Sequence, residues 1–427
     1  MKYVIVIPDG GADFPIADLR GKTPLEAARL PNMARLANMG RVGSATTTPS
    51  GFEAGSDVCS MALLGYDPAK YHTGRAPLEA AARGLTPGPQ EWIFRLNLLT
   101  TGAPGTPDAG KMLDHSAGAI SDAEARRLVQ DLHAYWKAKA PDLVVGMAMT
   151  PGVSYRNILV DASGREYSKL VTTPPHAIPG EAWEPNLPRG EGPGGELLSR
   201  LLLLSAELFA GHEVNRARVE AGKRPASMAW IWGQGTKPTV PDFRGRFGLR
   251  GAMITAVDLL AGIASFIGWD RLDVPGITSY HDTDYAAQGR ATIKALAGYD
   301  VVCCHVEAPD EASHQGDWKT KVAALEAIDE RIVGPVLDAL LKHGDPEANP
   351  GAEGWRMLVM PDHYTLCGTR KHDATPPPFV MGGAWVRSAV KRGFTEREAK
   401  ESDLFVDPGH ELMEYFLRGG LAAVKKR

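Results

Sequence analysis

Residues 300–306, DVVCCHV, form a short apolar run, and residues 307–314, EAPDEASH, follow it at once. A run of that length, rich in valine and bounded by polar residues, reads as a buried strand. Residues 2–7, KYVIVI, have the same form and lead into Pro8-Asp9-Gly10-Gly11. So do residues 356–360, RMLVM, which lead into Pro361-Asp362-His363. Three strand-like runs thus each deliver carboxylates or imidazoles just past their ends. In parallel sheets of α/β proteins, functional groups collect at the carboxyl ends of the strands. The fold class expected is therefore α/β, with a mostly parallel sheet.

Helix signals lie between these runs. Thr23-Pro24-Leu25-Glu26 combines an N-cap, a proline at the first helical position and a capping box. Pro31 opens a second helix, which Gly40 is expected to close in the left-handed conformation. Residues 56–64 read as a short helix closed by Gly65. The middle of the chain differs. Residues 91–100 (EWIFRLNLLT) read as a strand, residues 121–137 as a helix with a Ser121/Glu124 capping box, and residues 144–149 and 155–160 as further strands. This β-α-β-β order predicts a small α+β unit inserted into the larger domain. The Pro/Gly-rich residues 173–195 read as a hinge or linker. The boundaries that follow are a core from residues 1–86 and 186–427, and an inserted cap from residues 87–185. Residues 344–354 read as a surface loop.

With 427 residues, 44% hydrophobic and 23% charged, the chain can bury a large core without disulfide staples. Its 47 basic and 51 acidic residues leave a formal charge of -4, so nucleic acid and anionic membranes are not expected partners. Cys59, Cys303, Cys304 and Cys367 form no C-x-x-C pair, which excludes a zinc ribbon and a thioredoxin motif. Reduced core thiols in a cytoplasmic protein are the plain reading. The apolar run at residues 3–7 is too short for a signal-peptide core, and residues 197–210, interrupted by Arg200 and Glu207, are too short to span a bilayer. No heptad stripe specifies an oligomeric state.

The candidate chemistry rests on Asp9, Ser56 in GFEAGSDVCS, Asp310 and His314, Asp362 and His363, and His372 in RKHDATPPPF. Oxygen and imidazole donors without thiolate suit Mn²⁺, Zn²⁺ or Fe²⁺ and argue against a structural zinc site. Two metals about 4 Å apart can clamp both the attacking and leaving oxygens of a displacement at phosphorus. A cation beside a serine eases loss of its proton. Ser56 also starts a predicted helix, where free amides favour an anion. Taken singly, each motif is more readily a turn, a cap or a solvated pair. Taken together at three strand ends, they predict a metal-dependent phosphoryl-transfer enzyme with Ser56 as nucleophile.

The order Asp, Ser, Asp-x-x-x-His, Asp-His, His resembles the alkaline phosphatase superfamily. Within it, the chain resembles the cofactor-independent phosphoglycerate mutases of archaeal type. The stretches that carry this are residues 8–43 (opening PDGGADFP), GSDVCSMALLGYDP with YHTGRAPLEA, PDEASHQGD, MPDHYT and KHDATPPPF. They cover most of the chain, from residue 4 to about residue 380, and GSDVCSMALLGYDP is the most specific. The resemblance implies a three-layer alkaline-phosphatase-like core with an inserted cap. It implies two divalent metal ions, with Mn²⁺ ahead of Zn²⁺ or Mg²⁺. One would be held by Asp9, Ser56, Asp362 and His363, the other by Asp310, His314 and His372. It implies the glycolytic interconversion of 3-phosphoglycerate and 2-phosphoglycerate through a phosphoserine at Ser56. His115, Arg156, Arg75 and Lys237 are the candidate substrate grips, arginine being suited to carboxylate and phosphate by its fork of donors. IPDGGAD and GFEAGSDVCS also resemble a branch proposed to be homoserine kinases, which shares the metal and serine positions. A kinase-like phosphotransferase is thus the alternative, and a phosphatase a further one. The chain lacks a Walker motif and a kinase Gly-rich loop, which counts against the kinase.

Overall fold

The computed structural model describes residues 1–388 and 390–418. The chain divides into two compact units, Met1–His72 with Thr239–Arg427, and Thr73–Pro238.

The first unit is built on an eight-stranded sheet. Its order is Asp270–Arg271, Gly251–Ile254, Val301–Val306, Lys2–Pro8, Trp355–Val359, Pro378–Gly383, Arg41–Ala45, Phe405–Val406. The first five pair in parallel. Pro378–Gly383 runs antiparallel to both its neighbours, and Phe405–Val406 is again parallel to Arg41–Ala45. The mostly parallel α/β architecture follows from residue type. Strands covered on both faces read as unbroken apolar runs, as YVIVI and VVCC do. Val4, Val6, Val302, Cys304, Met357 and Val359 share a core with Leu325, Ile328, Val336, Leu337 and Leu340. The last five lie in or beside the Trp318–Ile328 and Gly334–Leu341 helices. Fully burying each such side chain contributes about 1.5–3 kcal/mol.

Gly40 does not take the left-handed conformation expected at the end of the Pro31–Met39 helix; its φ is -134° and its ψ -141°. Its glycine is required by close approach instead. A Cβ there would stand 1.9 Å from the Met381 carbonyl oxygen. The Thr23 capping box forms as the sequence indicates.

In the second unit, Trp92–Thr101 is the central strand. It pairs antiparallel with Arg156–Asp161 on one side and Met228–Thr236 on the other. Met147–Thr150 extends the sheet beyond Arg156–Asp161. The Asp122–Lys139 and Gly194–Ala210 helices bury Leu128, Leu132, Trp136, Leu198, Leu201 and Leu202 in a core with Phe94, Leu96 and Trp230. The inserted unit therefore runs from 73 to 238, not from 87 to 185. Ala76 and Ala80 of the Arg75–Ala82 helix pack on Ile93 and Ile158, which moves the first boundary. Met228–Thr236 returns to pair with a strand more than 120 residues earlier, which moves the second. Residues 173–195 consequently lie inside this unit rather than linking it to the other. Among the described residues, no helix is long and apolar enough to cross a membrane.

Candidate metal-binding active site

Sheet order brings the candidate residues together. Val301–Val306, Lys2–Pro8 and Trp355–Val359 are adjacent and parallel, so the segments after their carboxyl ends lie side by side. Those segments carry Asp310, Asp9 and Asp362–His363. Asp9, Asp362 and His363 are fully buried, and Asp310 is nearly so. Gly10, at φ +57°, makes this convergence possible; a Cβ there would stand 2.5 Å from both Asp310 Oδ1 and Thr365 Oγ1.

The hydrogen bonds decide which imidazole nitrogens are bare. Thr365 Oγ1 donates to Asp310 Oδ1, so toward His363 Nδ1, 3.1 Å away, it accepts. His363 therefore carries its proton on Nδ1, and its Nε2 is a free lone pair. That Nε2 lies 3.3 Å from Ser56 Oγ, 3.4 Å from Asp9 Oδ1 and 3.5 Å from Asp362 Oδ2. His314 Nδ1 faces the Arg370 carbonyl at 3.0 Å, and His372 Nδ1 faces the Ala54 carbonyl at 3.0 Å. Carbonyls only accept, so in the neutral rings both Nε2 atoms are bare as well. They stand 3.0 Å apart, and 3.1 Å and 3.5 Å from the two oxygens of Asp310. The rings of His363 and His372 are tilted together at 4.3 Å.

Bare imidazoles facing carboxylates need a positive charge among them, and this donor set fits divalent metal ions. Asp310, His363 and His372 form one group close enough to hold an ion, and Asp9, Asp362 and His363 form another. Asp9 Oδ1 is buried with no hydrogen-bond partner. Burial, with Asp362 and Asp310 nearby, holds the Asp9 carboxyl well above its usual range. Burial would also raise Asp310, but hydrogen bonds with His314 and His372 outweigh it and hold that carboxyl well below the usual range. The hydrogen bond to Asp310 raises His314 to about 9. A proton there does the work that a cation would do. Burial lowers the pKa of His363, which favours the neutral ring a metal requires.

Ser56 is the first residue of the Ser56–Leu63 helix, after Gly55 as N-cap. With His363 Nε2 bare, the serine hydroxyl donates to it. Ser60 on the next turn donates to Asp362 Oδ2 at 3.0 Å, and Thr47 donates to the Asp362 carbonyl at 2.7 Å. The serine helix is thus tied to the Asp-His segment. The four cysteines are buried, and burial pushes Cys59 and Cys304 up to about 12, so neither offers a thiolate.

A family model described as 2,3-bisphosphoglycerate-independent phosphoglycerate mutase matches residues 37–215. A 2,3-bisphosphoglycerate-independent phosphoglycerate mutase from Methanothrix thermoacetophila is 42% identical over 98% of this chain and 100% of its own length. The chain belongs to the 2,3-bisphosphoglycerate-independent phosphoglycerate mutase family. A second such relative, from Methanothermobacter thermautotrophicus, is 42% identical over 98% of this chain and 97% of its own. A Pyrococcus horikoshii protein of solved structure aligns over 100% of this chain and 99% of its own, with a TM-score of 0.77 and 26% identity. The cofactor-independent phosphoglycerate mutase of Thermoplasma acidophilum shares the fold, with a TM-score of 0.62 at 23% identity.

In this member of the mutase family, His305 and Glu307 join the site, although neither stands out as a ligand motif. His305 is buried and its Nε2 is 2.7 Å from Asp9 Oδ2, with Glu307 Oε2 at 3.6 Å. Its Nδ1 meets Thr255 Oγ1 at 3.0 Å. This arrangement fits a histidine that donates to Asp9 and aims its other oxygen. A histidine inside the apolar run DVVCCHV is the signal that marks it in the sequence.

The second unit gathers cationic side chains of its own. Arg156 lies over the Tyr155 ring at 4.6 Å, and the His115 ring packs against Tyr155 at 5.6 Å. Arg95, buried inside the Trp92–Thr101 strand, pairs with Glu79 at 3.0 Å and lies over Trp232 at 4.0 Å. Burial, with Arg75 and Arg156 as neighbouring charges, lowers Arg95 to about 10. Arg75, His115 and Arg156 are therefore gathered around Arg95. Lys237 is exposed and takes no part in these contacts. Arg95 was open to detection as the one charge in the run WIFRLNLL.

Proposed function

We propose that the chain interconverts 3-phosphoglycerate and 2-phosphoglycerate, with Ser56 taking and returning the phosphoryl group. The observation that carries this is the meeting of the Ser56 hydroxyl with a bare imidazole nitrogen that itself stands 3.4 Å and 3.5 Å from two buried carboxylates. Asp9, Ser56, Asp362 and His363 would hold one divalent ion, and Asp310, His314 and His372 a second. Mn²⁺ suits this mixed set, with Zn²⁺ and Mg²⁺ as competitors. Bound there, such ions supply charge stabilisation for phosphoryl oxygens and ease deprotonation of the serine.

The serine's own surroundings support the rest. Its hydroxyl oxygen lies 3.3 Å from His363 Nε2, the lone pair that would bind the ion, so the two are placed to share it. The N-terminal end of the helix it opens favours an anionic phosphoserine through the helix dipole. In the first transfer the substrate's O–P bond breaks as the Ser56 Oγ–P bond forms, and the glycerate oxygen takes up a proton. In the second, the neighbouring hydroxyl loses its proton and bonds to phosphorus as the Ser56 Oγ–P bond breaks and Ser56 Oγ regains a proton. Nothing is hydrolysed. Recognition of the substrate's carboxylate and phosphate is assigned to Arg75, His115 and Arg156, which gather around Arg95, and on charge alone to the exposed Lys237. As a glycolytic step, the reaction belongs in the cytoplasm.

The test is an assay of chelator-stripped, Mn²⁺-reloaded protein on 3-phosphoglycerate without added bisphosphoglycerate. The expected product is 2-phosphoglycerate with little free phosphate. Net phosphate release, or phosphohomoserine from homoserine and ATP in place of mutase activity, would overturn the reading.

A further inference from the structure

The Trp318–Ile328 helix carries a lysine, Lys321, that is 0% exposed. An ammonium is costly to bury unless its donors are matched, and an apolar residue would fill the position without that cost. Its three donors have three acceptors. Nζ lies 2.7 Å from the Thr365 carbonyl, 3.1 Å from the Ala12 carbonyl and 3.1 Å from Asp13 Oδ2. These acceptors sit on the two segments that carry the candidate ligands. Ala12 is three residues after Asp9, and Thr365 is two after His363. The lysine's own helix follows directly on Ala308–Gln315, which bears Asp310 and His314.

The same segments are cross-linked around that ammonium. Thr365 N donates to the Ala12 carbonyl at 3.2 Å, and Cys367 N donates to Asp13 Oδ2 at 3.0 Å. Thr365 is also the residue whose hydroxyl joins His363 to Asp310. A shift of its backbone would therefore move the group that orients a ligand from each candidate ion.

We propose that Lys321 is a positioning residue of the metal site, its ammonium holding the Asp9, Asp362–His363 and Asp310 segments in mutual register. It touches no reacting atom and acts through Thr365 and Ala12. This rests on the reading of the cluster as a divalent-metal site.

Lys321→Met keeps the aliphatic stem and removes the ammonium, but leaves the Asp13 charge buried. Asp13→Asn/Lys321→Met removes both charges and guards against simple unfolding. Each is compared with the wild type by thermal melting, by calorimetric titration of the metal-stripped protein with Mn²⁺, and by mutase kinetics. The expected result is a folded double variant that binds Mn²⁺ about 10–100-fold more weakly, the range found when outer partners of metal ligands are removed. Its kcat falls while KM for 3-phosphoglycerate changes little. Asp13→Asn alone keeps the ammonium on both carbonyls and should bind Mn²⁺ nearly as the wild type does. Wild-type Mn²⁺ affinity in a folded Lys321 variant would overturn the inference. So would failure of both Lys321 variants to fold, since that makes the lysine structural only. A wild-type protein that binds no Mn²⁺ would instead remove the metal reading beneath it.

Discussion

Nε2 of His314 lies 3.0 Å from Nε2 of His372, and the other nitrogen of each ring is held by a backbone carbonyl. Two lone pairs so close, with Asp310 beside them, are stable only around a proton or a cation. His372→Ala should therefore lower the divalent metal bound per chain, measured by elemental analysis after dialysis. Mutase activity should fall by at least about 100-fold, since loss of a ligand exceeds loss of an outer partner. Unchanged metal content and activity would contradict the assignment.

Ser56→Ala should leave the fold intact but weaken the ion that Ser56 would share with Asp9, Asp362 and His363, while activity drops on the order of 10³-fold or more, as for other nucleophile deletions. Rapid quenching of wild-type protein with 3-phosphoglycerate should give a chain heavier by one phosphoryl group, mapped by peptide mass analysis to Ser56. A phosphoryl group found on another residue would move the nucleophile there.

Gly10→Ala tests the close approach at the site. The left-handed backbone costs a non-glycine residue about 1–2 kcal/mol. The added methyl would also meet Asp310 Oδ1 and Thr365 Oγ1 at 2.5 Å. Lower thermal stability with weaker Mn²⁺ binding is expected. A variant indistinguishable from wild type in both would show that the segment relaxes freely.

Glu396 gives a pH dependence outside the metal cluster. It accepts from Asp13 N at 3.1 Å and from Thr23 Oγ1 at 2.6 Å, and burial raises its carboxyl to about 7. A raised carboxyl binds its proton more tightly in the folded state than in the unfolded one. Its contribution to stability is complete below the unfolded value, about 4.5, and is lost as pH rises through about 7. Urea midpoints should thus fall for this reason between about pH 5 and about pH 8, and Glu396→Gln should flatten that part of the profile. An unchanged slope would assign the pH dependence elsewhere.

Much of the architecture was legible because its signals are local. Capping boxes at Thr23 and Ser121 join residues three apart, and both form. The apolar runs at 2–7, 300–306 and 356–360 become adjacent parallel strands, each followed by acids. Other features were hidden because their cause lies far along the chain. Gly40 answers to Met381, and the unit boundary at 238 answers to a strand beginning at Trp92.

The sequence by itself determined the chemical types of the candidate site: Asp9, Ser56, Asp310, His314, Asp362, His363 and His372, each within a short motif. Only the tertiary structure decided which nitrogens are bare. It also decided that His305 aims Asp9 and that Lys321 and Thr365 join the segments. The physical reason is that donor and acceptor roles are assigned by partners in space. Thr365 and Asp310 are 55 residues apart, and His305 and Asp9 are 296 apart.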